Sequence, residues 1–403
     1  MSRNRFIAVT DGTCLHCGFC EQYVACPGSG KDCIGCGACV KACPQGARRL
    51  EVRKDKPQTV RFTLDGMDIQ VEGPVSVRTA LSETEAGDRP GPGKGLHSAG
   101  DGCDTGGCWG CGVLADDSLV PGCMTPVREG LNLITDPDVV LRAEPRRVVS
   151  LMRPPPHRHP SIFLHGCNYS CGLCHNWDLT FASVGRAMTP GETAAELHLD
   201  RETDYWIGIS GGEPTLNRPW LVRTVQELRG RAPGMRIQLD TNASLLTADY
   251  IDELVEAGVT DISPDLKAVQ TETFMKLCGI SEEETARRYL SNSWDAVRYL
   301  DEHHRGRVFV AVSFPYHPWI HTLEELGEAA ARVASLNPEL RVTLIEYQPA
   351  FRCRDWPFVD AASMARAEET VRSAGLNHVI VQGGDAMPLA VDPLDLALGS
   401  ETF

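Results

Sequence analysis

Three cysteines in "FLHGCNYSCGLCHNW", residues 163–177, stand in C-x3-C-x2-C spacing: Cys167, Cys171 and Cys174. Four thiolates close a zinc site or complete a 4Fe-4S cluster, so three leave one coordination position to something other than a nearby side chain. The rest of the chain is also rich in thiols, with 17 cysteines among 403 residues. Cys14, Cys17, Cys20 and Cys26 make one run and Cys33, Cys36, Cys39 and Cys43 a second, each ending in Cys-Pro. Cys103, Cys108 and Cys111 follow as C-x4-C-x2-C, with Cys123 after eleven intervening residues. An odd number of cysteines in tight C-x2-C series within a long chain predicts metal binding in a reducing compartment, not a disulfide scaffold. Zinc and iron–sulfur clusters are both open to these spacings. Cys278 and Cys353 stand alone and read as small packed thiols.

Elements must position these groups. From Ser161 onward seven short apolar runs ("SIFLHG", "YWIGIS", "RIQLDT", "VTDISPDLK", "RVFVAVSF", "RVTLIEY", "HVIVQGG") alternate with amphipathic stretches. Such repetition predicts a parallel sheet with crossover helices, as a barrel or an open doubly wound sheet. The polar clusters "GCNYSCGLCHN", "SGGEP", "DTNAS", "DLK", "PYHPW" and "QPAFRCRD" all fall at carboxyl ends of the runs, the edge where α/β sheets bind ligands. Tyr316, His317, Trp319 and Arg352 point toward that mouth by position, with loop packing equally open. Residues 57–142 open with a hairpin around Asp65-Gly66. Residues 143–160, with three consecutive prolines, read as an extended linker in which His157 and His159 are solvated. The formal net charge of −15 argues against wrapping nucleic acid or coating an anionic membrane. No apolar run approaches the roughly 20 residues of a membrane span and no signal-peptide segment is present, so a cytoplasmic location is expected.

The two N-terminal runs resemble a two-cluster bacterial ferredoxin over residues 1–54, in which the fourth cysteine of each run ligates the other cluster. That resemblance implies one 4Fe-4S cluster on Cys14, Cys17, Cys20 and Cys43 and a second on Cys33, Cys36, Cys39 and Cys26. The first run departs from the pattern by a small loop insertion before Cys26. Residues 57–142 resemble a plant-type ferredoxin, implying a β-grasp domain with one 2Fe-2S cluster on Cys103, Cys108, Cys111 and Cys123.

Residues 161–403 resemble the radical S-adenosylmethionine (SAM) superfamily, with "CHN", "SGGEP", "LDTNAS" and "DLK" similar to the pyruvate formate-lyase-activating enzyme branch. The resemblance implies a multidomain α/β protein with a partial (β/α)6 TIM-like barrel. It also implies a third 4Fe-4S cluster on Cys167, Cys171 and Cys174, whose fourth position is taken by SAM. Gly211, Gly212, Glu213 and Asn242 would line the cosubstrate site and Lys267 would meet the methionyl carboxylate. Asp240, Thr241 and Asp265 would help hold a monovalent cation, while Asp265 and Lys267 also fit an ordinary strand-end ion pair. Leu173 stands where family members commonly carry an aromatic residue, and Ala243 where a glycine is usual. The implied activity is reductive cleavage of SAM to a 5′-deoxyadenosyl radical, fed by the ferredoxin-like modules from reduced ferredoxin or flavodoxin. The implied target is a glycyl radical enzyme; a peptide, a small metabolite or pure electron transfer are the alternatives.

Overall fold

The computed structural model describes residues 5–83, 101–136, 139–140, 147–152, 159–184, 186–200 and 202–383. His157, the three prolines and most of the Gly/Pro-rich segment before Cys103 lie outside them. At the N-terminus β1 (Phe6–Thr10) pairs antiparallel with β2 (Arg48–Val52), Phe6 opposite Val52. Between them run two one-turn helices, Phe19–Gln22 and Ala38–Lys41, each entered through a glycine in the left-handed region, Gly18 at φ 77° and Gly37 at φ 79°. The repeated local geometry follows the repeated cysteine spacing.

β3 (Gln58–Leu64) and β4 (Met67–Gly73) form the expected hairpin. Asp65 at φ 49° and Gly66 at φ 79° supply the positive angles of its two-residue turn. With β5 (Gly112–Ala115), β6 (Ser118–Pro121) and β7 (Asn132–Ile134) they make a mixed sheet of order β4-β3-β7-β5-β6. The helix Val77–Glu83 lays Val77 and Ala80 on a core of Phe62, Leu64, Val113 and Leu133.

The largest sheet has nine strands. In chain order they are β8 (Arg147–Met152), β9 (Ser161–Leu164), β10 (Ala187–Met188), β11 (Trp206–Gly211), β12 (Arg236–Thr241), β13 (Asp261–Pro264), β14 (Phe309–Tyr316), β15 (Arg341–Glu346) and β16 (His378–Gln382). Their spatial order is β10-β8-β9-β11-β12-β13-β14-β15-β16. From β9 through β11 to β16 every pairing is parallel and each crossover steps the same way. The expected six βα units are present and lead to a seventh parallel strand. Helices Arg218–Arg231, Ala248–Ala257, Glu283–His304, Leu323–Leu336 and Ala361–Ser373 cover the sheet, and Ile207, Ile209, Leu239, Val312 and Leu344 beneath them are fully buried.

One boundary differs from the sequence reading. The linker expected over 143–160 contains β8, which pairs antiparallel with β9 along Val149–Met152. Its run of β-branched and apolar residues forms a strand that ends where the prolines begin. His159 is correspondingly not solvated: its ring packs edge-on against Trp206, centroids 4.8 Å apart. Among the described residues no helix is long and apolar enough to cross a membrane.

Candidate active site

The chain leaves β9 through Gly166 at φ 87° and enters the C-x3-C-x2-C loop on the carboxyl rim. The Tyr169 amide donates to Cys167 Sγ at 3.3 Å, and Asn242 Nδ2 reaches the same sulfur at 3.8 Å while also donating to Asn168 Oδ1. The loop is tied down from outside by Ser170 N to Cys278 O at 2.8 Å. Burial pushes the Cys167 thiol well up and Cys174 up to about 12. Cys171 is held low by a hydrogen bond with Cys278. Thiols that resist ionising, as Cys167 and Cys174 do, become thiolates when a metal takes the proton's place. Amides aimed at sulfur and a loop pinned by its neighbours therefore fit an iron–sulfur cluster on these three residues.

Beside this loop the rim is polar. Glu213 is fully buried and accepts from Thr215 N at 3.0 Å, Thr215 Oγ1 at 2.6 Å, Thr241 Oγ1 at 2.6 Å and Asn242 N at 2.7 Å. A carboxylate with that many donors locks the β11 rim to the β12 rim, so Glu213 faces protein and not the mouth. Gly211 at φ 113° and Gly212 are required by close approach of backbone: a Cβ on Gly212 would lie 2.1 Å from Gly166 O. Asp240 is pushed up to about 6, chiefly by burial, and accepts from Gln238 Nε2 at 2.8 Å. Lys267, 7% exposed, donates to Asp265 Oδ2 at 2.9 Å and to Tyr347 Oη at 2.9 Å. The ion pair read as an alternative in the sequence is thus present, and Tyr347, which no motif flagged, is its third member. Leu173 is buried. Ala243 adopts φ 57°, the left-handed angle that favours the glycine usual at this turn.

Of the rim residues chosen by position, Tyr316 and His317 are buried. Trp319 is 54% exposed and packs at a tilt against Trp356 with centroids 5.1 Å apart. Arg352 turns away from the mouth and donates to Cys43 O, Val40 O and Lys41 O. Cys278 is buried against Cys171, and Cys353 Sγ lies against Gly172, so the two isolated thiols flank the motif loop.

The N-terminal cysteines carry the same signature of amides on sulfur: His16 N to Cys14, and Ala8 N and Gly35 N to Cys33, all at 3.4 Å. Burial raises the Cys20 thiol, with Cys43 adding to the rise; burial likewise lifts Cys36 to about 11, with Cys39, Cys26 and Cys33 adding. For Cys36 those neighbours are the cysteines of the crossed pairing, whereas Cys20 is also raised by Cys39, which that pairing puts on the other cluster. Cys103, Cys108, Cys111 and Cys123 are all buried. The Thr105 and Cys108 amides donate to Cys103 Sγ and the Cys123 amide to Cys111 Sγ. Among the described residues no three Cys, His, Asp or Glu side chains converge as on a single metal ion.

Residues 161–334 match the Radical SAM superfamily and residues 31–49 the 4Fe-4S binding domain. A Methanocaldococcus jannaschii protein assigned as a glycyl-radical enzyme activating enzyme is 28% identical over 43% of this chain and 67% of its own length. A Saccharolobus islandicus protein assigned as a GTP 3′,8-cyclase is 30% identical over 29% of this chain. This chain spans only 36% of that relative. Among solved structures, Streptococcus suis SuiB bound to S-adenosylmethionine aligns at TM-score 0.42 and 16% identity, covering 54% of this chain and 48% of that one. A domain of a pyruvate-formate lyase-activating enzyme from Bacteroides vulgatus aligns at TM-score 0.34 and 14% identity, covering 44% of this chain and 98% of that one. The Radical SAM match spans the C-x3-C-x2-C loop, the rims after β11 and β12, and Lys267, and the 4Fe-4S binding match spans Cys33, Cys36, Cys39 and Cys43.

Proposed function

We propose that this protein is a multi-cluster radical SAM oxidoreductase that activates a glycyl radical enzyme by hydrogen abstraction. The observation that carries the reading is the rim itself: buried Cys171 between half-buried Cys167 and Cys174, with no fourth thiol from their own loop, stands beside buried Lys267 with its partners Asp265 and Tyr347, and beside half-buried Asp240. Cys167, Cys171 and Cys174 would hold a 4Fe-4S cluster, which when bound and reduced would supply the one electron for reductive cleavage of SAM. The chain's part is to bind and exclude water. The Lys267 ammonium offers the cosubstrate's carboxylate a desolvated cation already oriented by two partners. Asp240, Thr241 and Asp265 present hard oxygens to a monovalent cation.

The remaining cysteines read as donors. Cys17 and Cys26 are exposed and Cys14 and Cys20 half-buried, whereas Cys33, Cys39, Cys43 and the Cys103 group are buried. That gradient suits entry of an electron from reduced ferredoxin or flavodoxin at the surface and its passage inward over two 4Fe-4S clusters and one 2Fe-2S cluster. Backbone amides aimed at Cys103 Sγ and Cys111 Sγ within this buried group support an iron–sulfur centre there. Similarity to the assigned activating enzyme supports a glycyl radical enzyme as the target. Anaerobic protein incubated with SAM and a low-potential donor is expected to release 5′-deoxyadenosine, and mixing with the partner to give a glycine-centred paramagnetic signal. Absence of 5′-deoxyadenosine under reduction leaves an electron carrier instead.

A further inference from the structure

The Cys103 group and the radical motif touch. A Cβ built on Gly166, the residue before Cys167, would lie 2.8 Å from Cys103 Cβ and 3.0 Å from Cys103 Sγ; one built on Gly107 would lie 2.8 Å from Gly166 N and from His165 C. Neither loop tolerates a side chain there. Local wrapping of a cluster gives Gly107 no comparable reason to be glycine, since its φ is not left-handed. Asn217 Nδ2 adds a bond from the barrel to Cys108 O at 3.1 Å. The junction is closed by one side chain from the N-terminal module: Lys41, half-buried between Cys39 and Cys43, donates from Nζ to Cys103 O at 2.9 Å and to Cys167 O at 2.8 Å.

We propose that Lys41 is a positioning residue that clamps the Cys103 loop onto the Cys167 loop, making the Cys103 group the immediate electron donor to the radical motif. The ammonium's two acceptors belong to one cysteine from each group, and its own backbone is part of a third. Donor and acceptor loops held in contact on rigid elements transfer faster than loops free to separate, because transfer falls steeply with distance and tethering removes the search. One electron leaves a reduced ferredoxin or flavodoxin and ends on the group held by Cys167, Cys171 and Cys174; no bond or proton moves in the transfer. The alternative route is direct, from the second N-terminal run, whose Cys36 borders the same apolar cluster as Cys174.

The inference rests on the proposed cluster assignments, and its test is independent of SAM cleavage. Full-length protein with its clusters assembled anaerobically is compared with Lys41→Met, Lys41→Arg and Gly107→Ala. In each, iron and sulfide are counted, the magnetic coupling between the reduced Cys103 and Cys167 groups is read by pulsed paramagnetic resonance, and arrival of the electron at the Cys167 group is timed by rapid freezing. Lys41→Met and Gly107→Ala are expected to weaken the coupling and slow arrival at least tenfold, with Lys41→Arg close to the native rate. Gly107→Ala opens the same contact without touching the ammonium, so it decides the matter where Lys41→Met loses iron. Unchanged coupling and rate in the iron-replete variants overturn the proposal in favour of the direct route. Native protein that shows the coupling but yields no 5′-deoxyadenosine refutes the radical reading and leaves the clamp standing.

Discussion

Residues 5–136 and residues 161–383 are held together by different means. The barrel half has a continuous apolar core running through β11, β12, β14 and β15 and the helices outside them. The N-terminal half has a small core under the mixed sheet and, around its first two cysteine runs, little but Phe19, Val24, Ala38 and Ala42, which borrow Phe181, Ala182 and Phe351 from the barrel. Two one-turn helices and a two-stranded sheet cannot bury enough apolar surface to offset chain entropy. Under the proposed cluster assignments metal would supply the rest, as in other small metal-organised modules. On that proposal one half would use metal to react and the other would use it to fold.

The sharpest way to break that contrast is to remove the iron. Protein prepared without oxygen is expected to carry about fourteen irons per chain under the cluster assignments above. Stripping them with a chelator should erase amide protection over residues 5–52 and 101–125 while strands β11, β12 and β15 keep theirs. Hydrogen exchange read by mass spectrometry measures both halves at once. Protection that survives iron loss in the cysteine segments would mean that their fold does not depend on metal.

A single substitution separates the two uses. Cys171→Ala is expected to remove about four irons and abolish 5′-deoxyadenosine formation with any donor, leaving the visible spectrum of the N-terminal centres in place. Cys36→Ala should spare cleavage driven by a strong chemical reductant and slow it sharply with flavodoxin. Cleavage with flavodoxin as fast in Cys36→Ala as in the native protein would sever the link between the halves.

Much of this arrangement was legible in the sequence because it repeats. Seven apolar runs gave seven parallel strands, and the polar clusters after them share one rim, since a βα period leaves every strand's carboxyl end on the same side. Cysteine spacing is equally local: C-x2-C turns with a left-handed glycine can be read from a few residues. What escaped has no period. Lys41 sits in a run where only the cysteines attract notice, yet it bonds to segments 62 and 126 residues further along the chain. Arg352 looked like a mouth residue and is a docking contact, and Tyr347 lies one residue past a strand that predicts nothing about its hydroxyl. Glu213 was assigned to the ligand by its motif, whereas its four hydrogen bonds point into the protein. The strand β8 was hidden by the prolines after it, which dominate any reading of composition.

A change of pH should act on the barrel half alone. His321 Nε2 pairs with Lys267 O at 2.9 Å and the His317 amide donates to Nδ1 at 3.4 Å, so the neutral ring is satisfied on both nitrogens. Burial holds its folded-state pKa below the usual imidazole value; the bond to Lys267 O and the Glu325 carboxylate oppose that, and the Lys267 ammonium reinforces it. A group depressed on folding binds fewer protons when folded. Its contribution is therefore complete above the unfolded value near 6.5 and declines as pH falls through it. Denaturant unfolding of the barrel is expected to ease between about pH 7 and pH 5, and His321→Gln, which keeps a donor toward Lys267 O, should flatten that dependence. A slope identical in the variant assigns the effect elsewhere.

The smallest effect tests whether the halves are thermodynamically separate. Thr189 caps the helix Pro190–Glu196 with a reciprocal pair of bonds, its hydroxyl accepting from Glu192 N at 3.2 Å while Glu192 Oε2 accepts from Thr189 N at 2.7 Å. Thr189→Ala removes the hydroxyl's share and should cost about 1 kcal/mol. That loss falls on the barrel, whose core needs no iron, so it should be the same in loaded and stripped protein. Distant, independent changes add within about 0.5 kcal/mol. A larger discrepancy between the two states would mean that cluster assembly reaches through the Phe181–Phe351 contact into the barrel, and that the division into a half that folds on metal and a half that reacts through it is too clean.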